Sequence, residues 1–538
     1  MTTKTIVLSS IDQPQHLYYI RNLLCFSDET LGETTTEAFT ETLRRGLSSL
    51  AAELPVLKGK ICPTASSSPN PPSSHSSAKQ LELRYSPHGP DPSFTVHDLR
   101  QPFPTYPRIR ENKFVLHGQN CYPLYNEPTD QEQGAVVFVR VNLLRGGVVV
   151  CFAVQHAFAD GLGAAMVLEM WGECCRAVGG LNERGRKLKV EEGRMALEQF
   201  WVSEEVKSQA KASWDGPVLP HEGMKRMSES EGLPRNYENR EKDFPEPLPE
   251  EPAPRPPLVA IQISMSYLKL TSLKSELTGL LPQLRGATSD QKEGPPYIST
   301  LDVLTALITL CYSWQQRITS GGSYVTSSMP KKLHIAVNFR NRTAPPIGDN
   351  YLGNCGMGTE IDLSTCSFLR SADEAEEEGE DEDEEKYRRH KVARMALRVR
   401  GAIEALKPEH WRDYVENTYR SIFGRNHDEK ILTTVRNENG DEVTRDIEVP
   451  TNLFISSFAR FPLANVDFGN GIGKPDAVRN TQGDAQGLVV QPRKWEMDGE
   501  GEGEGEDWVV TTSVEAVFLG YLEEEMRRWG AVVRREVW

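Results

Sequence analysis

GVVVCFAVQHAFADGLGAAMVLEMWGECCRAV, residues 147–178, changes its period in the middle. From Gly147 to Gln155 it is a β-rich apolar run, and Val136–Leu144 before it is another, with Arg145-Gly146 between them. Two such runs across a glycine-containing turn read as a hairpin of buried strands. From Gly161 onward Leu162, Ala165, Met166, Glu169 and Met170 recur at helical spacing, and the helix runs to about Val178. His156 therefore sits where a rigid strand hands over to a helix. Such a place fixes an imidazole while leaving its ring free to face a cavity. Asp160, directly before the helical pattern, is a good N-cap, accepting from a backbone N–H of the first turn.

Working outward, Ile6–Ser9 reads as a strand, Thr36–Leu54 as an amphipathic helix and Leu81–Tyr85 as a strand, with a Ser/Pro-rich loop over Pro63–Ser77. Residues 191–257 are polar and end in PEPLPEEPAPRPP, a linker that is semi-rigid where proline dominates. A strand at Leu258–Ser266 and helices at Leu268–Leu277 and Thr300–Gln316 then open a second half, the latter helix capped by Ser299 or Thr300. The 538 residues exceed what one core fills, so two domains are expected: 1–190, and 258–538 beyond the 191–257 linker.

The formal charge of −16 is concentrated: residues 373–385 hold 11 acids and 498–507 hold 6, which matches the whole excess. These runs read as solvated insertions, and with no basic stripe elsewhere they argue against nucleic acid as a partner. No stretch approaches the length of a membrane span. Nine cysteines without a CxxC pair fit a reducing compartment, and the termini carry no secretory or peroxisomal signal, so the expected location is the cytoplasm.

Three constellations carry possible chemistry. In the first, His156 takes a proton from an attacking hydroxyl, as an imidazole near neutrality can; a lone HxxxD also occurs by chance. In the second, Asn338-Phe339-Arg340-Asn341-Arg342 closes a strand over Ile335–Phe339, and alternation places Asn338, Arg340 and Arg342 on one face. A guanidinium there suits a carboxylate such as Asp160, or a phosphate, or else is simply solvated. In the third, Asp467-Phe468-Gly469-Asn470-Gly471-Ile472-Gly473-Lys474-Pro475 has alternate glycines where backbone must pass close to something. It is not a dinucleotide fingerprint, because the order is GxGxG running into Lys-Pro, where a helix cannot easily begin one residue before proline. Zinc signatures, GxSxG elbows and phosphate loops are absent, so no metal is expected and metallohydrolases, serine hydrolases and P-loop enzymes drop out.

Taken in order, these segments resemble the BAHD acyltransferases. His156–Asp160 matches the family's HxxxD motif and Asp467–Gly471 its DFGWG motif; Leu54–Gly59, Ser299–Asp302, the Arg340/Arg342 strand and Tyr351–Asn354 match further along the chain. The resemblance implies two similar α/β domains with mixed sheets flanked by helices, like chloramphenicol acetyltransferase, joined by the 191–257 crossover and with an interdomain tunnel. Acyl-CoA would enter from one side and the acceptor, a small-molecule alcohol or amine, from the other. It implies His156 as general base, Asp160 paired with Arg340, and Asp467 as mainly structural although often described as catalytic. Asn470 replaces the motif tryptophan, Gly473 extends the glycine spacing and Gln155 replaces a histidine; the extended glycine form resembles fungal members. Gly161, Arg342, Phe468, Gly469, Gly471 and Gly473 belong to the motif framework.

The mechanism so implied is a ternary-complex transfer from acyl-CoA, with acetyl-CoA the expected co-substrate, by a monomer. CoA phosphates need a positive mouth, for which Lys331, Lys332, Lys474 and Arg479 are candidates; each could equally be ordinary solvated charge. Two alternatives remain: a condensation-type transferase fed by a carrier-protein thioester, and a catalytically silent relative that binds a ligand.

Overall fold

The computed structural model describes residues 3–13, 18–63, 81–178 except 126, 127 and 131, 202–203, 207, 258–286, 297–313, 332–363, 384–423, 434–436, 442–444, 452–481 except 462, 464, 465 and 470, 487–492 and 507–536. The two acidic runs, the Pro63–Ser77 loop and the 191–257 linker lie almost wholly outside them.

The hairpin forms as Val137–Leu144 and Gly147–Gln155, paired antiparallel. Every residue of the second strand is buried, which explains why it reads as an unbroken apolar run. It is the centre of a five-stranded sheet in the order Ala477–Asn480, Tyr19–Ser27, Gly147–Gln155, Val137–Leu144, Ser93–Asp98, of which only the last pair is parallel. Helices Thr36–Glu53 and Gly161–Val178 share the core with one face of this sheet, Phe152 stacking on Trp171 at 5.2 Å between ring centroids. The Trp171 indole donates to the Leu43 carbonyl at 3.1 Å, tying the two helices together. A three-stranded sheet, Lys4–Val7, Leu81–Tyr85, Lys60–Pro63, flanks this half.

The second half is a mixed seven-stranded sheet in the order Gly356–Asp362, Lys332–Asn338, Asn452–Ser457, Gly487–Pro492, Asp507–Glu515, Leu258–Ser266, Val532–Arg535. Helices Tyr267–Gly286, Thr300–Ser313 and Glu384–Ala405 pack together with it around one large core. Ser299 and Asp302 form a reciprocal cap: the Asp302 carboxylate accepts from the Ser299 N–H at 2.6 Å and the Ser299 hydroxyl accepts from the Asp302 N–H at 3.2 Å. The helix expected to stop at Leu277 continues through Gly279 and Pro282, because Leu277 and Leu281 are both buried and tertiary packing outweighs local propensity.

Two expectations change. The strand before Arg340 ends at Asn338, so Arg340 and Arg342 lie in the following turn and share no strand face. The segment 466–480, placed by chain order in the second unit, packs on the first: Ala477–Asn480 is an edge strand beside Tyr19–Ser27, and Phe468 fits between Phe26 and Trp171 at 5.9 and 5.2 Å.

Candidate active site at the strand-to-helix junction

The turn carrying His156 is held by backbone bonds on both sides. The His156 N–H donates to the Tyr18 carbonyl at 2.8 Å, continuing the ladder of the sheet, and the His156 carbonyl accepts from the Asn354 amide at 2.8 Å. Gln155 folds back to accept from the Ala157 N–H at 3.0 Å, so it shapes the turn. The imidazole is partly exposed, and its Nδ1 is buried without a partner in hydrogen-bond geometry. Among the described residues its Nε2 has no hydrogen-bond partner, which leaves it the nitrogen open to a reactant. Burial holds the His156 pKa below that of a free imidazole, and its own carbonyl, Asp160, Asn354 and Asp12 oppose that shift. The neutral form, able to accept a proton, is thereby favoured.

Asp160 faces away from that work. Its two oxygens form a fork with Arg340, each bond 2.8 Å, and also accept from the Gly163 N–H at 2.9 Å and the Cys355 N–H at 3.1 Å. The bond from Gly163 is the expected helix N-cap. Arg340 is wholly buried, and its remaining N–H groups reach the Tyr351 and Gly353 carbonyls at 3.0 and 2.8 Å and the Asn338 side chain at 3.3 Å. The Arg340 charge, together with these hydrogen bonds, overcomes the burial that would raise the Asp160 pKa and holds it below the usual carboxylate value. The pair thus welds the start of the helix to the Tyr351–Asn354 segment of the other half.

Two residues that sequence reasoning passed over complete this weld. Gly163 packs so tightly that a Cβ there would lie 2.3 Å from the Leu352 carbonyl oxygen. Asp12, fully buried, accepts from the Asn354 amide at 2.8 Å, from the Asn354 N–H at 3.2 Å and from the Ser9 hydroxyl at 2.7 Å. Asn354 was visible as the end of Tyr-Leu-Gly-Asn; Asp12 gave no local signal, since its partner lies 342 residues away.

The other candidates fall elsewhere. Arg342 donates to the Ile403 carbonyl at 3.0 Å, near the end of a helix. Asp467 accepts from the Gly469 N–H at 2.9 Å and closes its own turn, while its carbonyl approaches Gly172 and accepts from Arg176. Gly161 and Gly172 are eleven residues apart on one helix, or about 16 Å at helical rise, so the Asp467 turn packs well along the helix from the end that follows His156. Gly469, Gly471 and Gly473 have φ of +92°, +85° and +67°, values that favour glycine, and the Gly469 turn lies against Arg176. Gly161 sits against Phe458 and Phe461.

Of the cationic candidates, Arg479 is buried and donates to the carbonyls of Phe114, Lys113 and Val478 at 3.2, 3.2 and 2.8 Å, bonds that tie backbone together and do not form an exposed positive mouth. Lys332 is paired with Glu360. Lys474 is exposed. Lys331, like Asn470, lies outside the described residues. Among the described residues no cluster of three or more His, Cys, Asp or Glu could hold a metal, and no helix is long and apolar enough to cross a membrane.

Comparison with known proteins bears on the fold. Residues 18–175 match the model of the trichothecene 3-O-acetyltransferase-like N-terminal domain. The acyltransferase easC of Emericella nidulans is 22% identical over 489 residues, covering 89% of this chain and 87% of the relative. TRI101 of F. sporotrichioides, solved with coenzyme A and T-2, superposes with a TM-score of 0.60 at 17% identity, over 98% of this chain and 99% of that one. Vinorine synthase superposes with a TM-score of 0.55 at 13% identity, over 98% and 97%. The fold is chloramphenicol acetyltransferase-like, with mixed sheets and helices.

Proposed function

We propose, from the premise that the chain is an acyltransferase of the BAHD type, that it transfers an acyl group from CoA, acetyl first among them, to a hydroxyl or amine of a small secondary metabolite. The observation that carries this reading is the open Nε2 of His156 on an imidazole kept neutral by burial. In the ternary complex Nε2 takes the acceptor's proton as its oxygen or nitrogen attacks the thioester carbonyl. The tetrahedral intermediate then collapses, and the imidazolium returns the proton to the departing CoA thiolate. General base catalysis of this kind contributes about 10²–10⁴-fold. Asp160 and Arg340 serve the site by fixing the turn, and Asp467 by fixing a distant loop. The enzyme acts as a cytoplasmic monomer in this reading.

The test is thiol release from acetyl-CoA by the purified chain across a panel of hydroxylated and amine-bearing metabolites, with His156→Ala in parallel. Turnover that vanishes in the variant supports the assignment. Release that persists in the variant, or an acyl-enzyme burst without acceptor, overturns the general-base mechanism. Turnover with acyl-carrier protein alone overturns CoA as the donor.

A further inference from the structure

We propose that Asp12 and Asn354 are a positioning pair for His156, set to hold the imidazole with Nε2 toward the acceptor and to stabilise the positive charge it gains. This rests on the reading of His156 as the base. The geometry is a relay of three groups from three distant parts of the chain. The Asp12 carboxylate takes one hydrogen of the Asn354 amide, and the other hydrogen goes to the His156 carbonyl, both at 2.8 Å. Asp12 is itself fixed by Ser9, and the Asn354 N–H gives it a further bond at 3.2 Å. An amide whose two hydrogens point at two fixed acceptors cannot rotate without breaking one bond, so the carbonyl of the catalytic turn is clamped.

Asp160 is held by the Arg340 fork and Asp12 by hydroxyl and amide donors, and both acids together with Asn354 favour the imidazolium against burial. Tyr18, whose carbonyl holds the His156 N–H, has a phenol raised above its ordinary pKa by burial and so adds no charge at neutral pH. A carboxylate buried beside a base costs desolvation free energy, and its placement is intelligible if it stabilises the charge formed in the transition state.

The experiment compares the full-length chain with Asp12→Asn and Asn354→Ala by two readouts. The first is carbethoxylation of His156 by diethyl pyrocarbonate across pH, resolved by peptide mass spectrometry, which needs no acceptor. The second is acetyl-CoA turnover with an acceptor from the panel. Both variants are expected to move the His156 titration midpoint to lower pH, since each removes a group favouring the imidazolium. They should lower kcat by about tenfold or more while leaving the acetyl-CoA KM within about twofold, as misplacement of a reacting group does. Unchanged midpoints with unchanged kcat overturn the pair, and so does a fall in melting temperature without a midpoint shift. Should Asp12→Asn fail to fold, Asn354→Ala, which leaves Asp12 bonded to Ser9, decides alone. His156→Ala keeps the two ideas apart: an inert His156→Ala beside silent pair variants sinks the pair only, whereas an active one sinks the base.

Discussion

Arg340 carries five N–H groups, and all five have acceptors within 3.3 Å in a site with no exposure of its own. A buried pair so completely matched contributes little beyond an apolar substitute, yet breaking it from one side leaves a bare buried charge. Asp160→Asn is therefore expected to cost about 3–5 kcal/mol of stability, read from urea midpoints. Arg340→Lys should lose stability too, since an ammonium cannot span the carboxylate and the carbonyls together. Because the folded Asp160 pKa lies below its unfolded value, its contribution is full above the unfolded value and fades as pH falls through the folded one. Urea midpoints of wild type should thus decline on acidification more steeply than those of Asp160→Asn. The acid limb of kcat/KM should lie below the ordinary imidazole range, because burial lowers the His156 pKa and only its neutral form accepts a proton. At this scale residue chemistry singled out His156, Asp160 and Arg340 as candidates, and the resemblance to a family assigned their roles and paired the last two. Asp12 was not singled out, because a lone acid in Ser-Ser-Ile-Asp-Gln looks like any turn residue until the fold brings Asn354 to it.

The helix Gly161–Val178 links two of the motif regions. Its first turn packs on the Leu352 carbonyl through Gly163, and its far end packs on the Asp467–Gly473 turn through Gly172 and Arg176. Gly163→Ala should impair both stability and turnover, since overpacking against backbone costs about 1–3 kcal/mol and displaces the turn that carries His156. Asp467→Asn should behave otherwise. Its carboxylate only closes a local turn, so the melting temperature is expected to fall while kcat at a permissive temperature stays within about threefold. The hairpin and this helix were readable because their periods are strong and their ends carry turn or cap residues. Strands such as Ser93–Asp98 and Gly356–Asp362 escaped, lying where Gly, Thr, Asp and Glu dilute the β signal and only pairing with a neighbour makes them strands. The turn after Asn338 was misread as strand for a related reason: alternation in Asn-Phe-Arg-Asn-Arg continues after the ladder has stopped.

Between the halves, residues 112–120 form a strap. Lys113 and Phe114 both have positive φ, 54° and 58°, and their carbonyls accept from Arg479, with Gln262 also donating to Lys113 at 3.2 Å. His117 reaches the Thr512 carbonyl at 2.9 Å, and Asn112 the Arg535 carbonyl at 2.9 Å. Arg479→Ala strands buried carbonyls, at about 1–3 kcal/mol each, so it should reduce the yield of folded chain and leave the acetyl-CoA KM of the surviving enzyme unchanged. A selectively raised KM would instead return Arg479 to a phosphate contact. Motif order made the two-sheet architecture legible, but composition and period say nothing about which half a late segment joins. Residues 477–480 lie on the outer edge of the first sheet, beside Tyr19–Ser27. A fragment ending before the linker would consequently bare the N–H and C=O groups of Asn22–Cys25, an invitation to adhere to other chains. Such a fragment should precipitate when made alone and recover when the remainder is produced beside it, so the gene can be split at the linker only if both products share a cell.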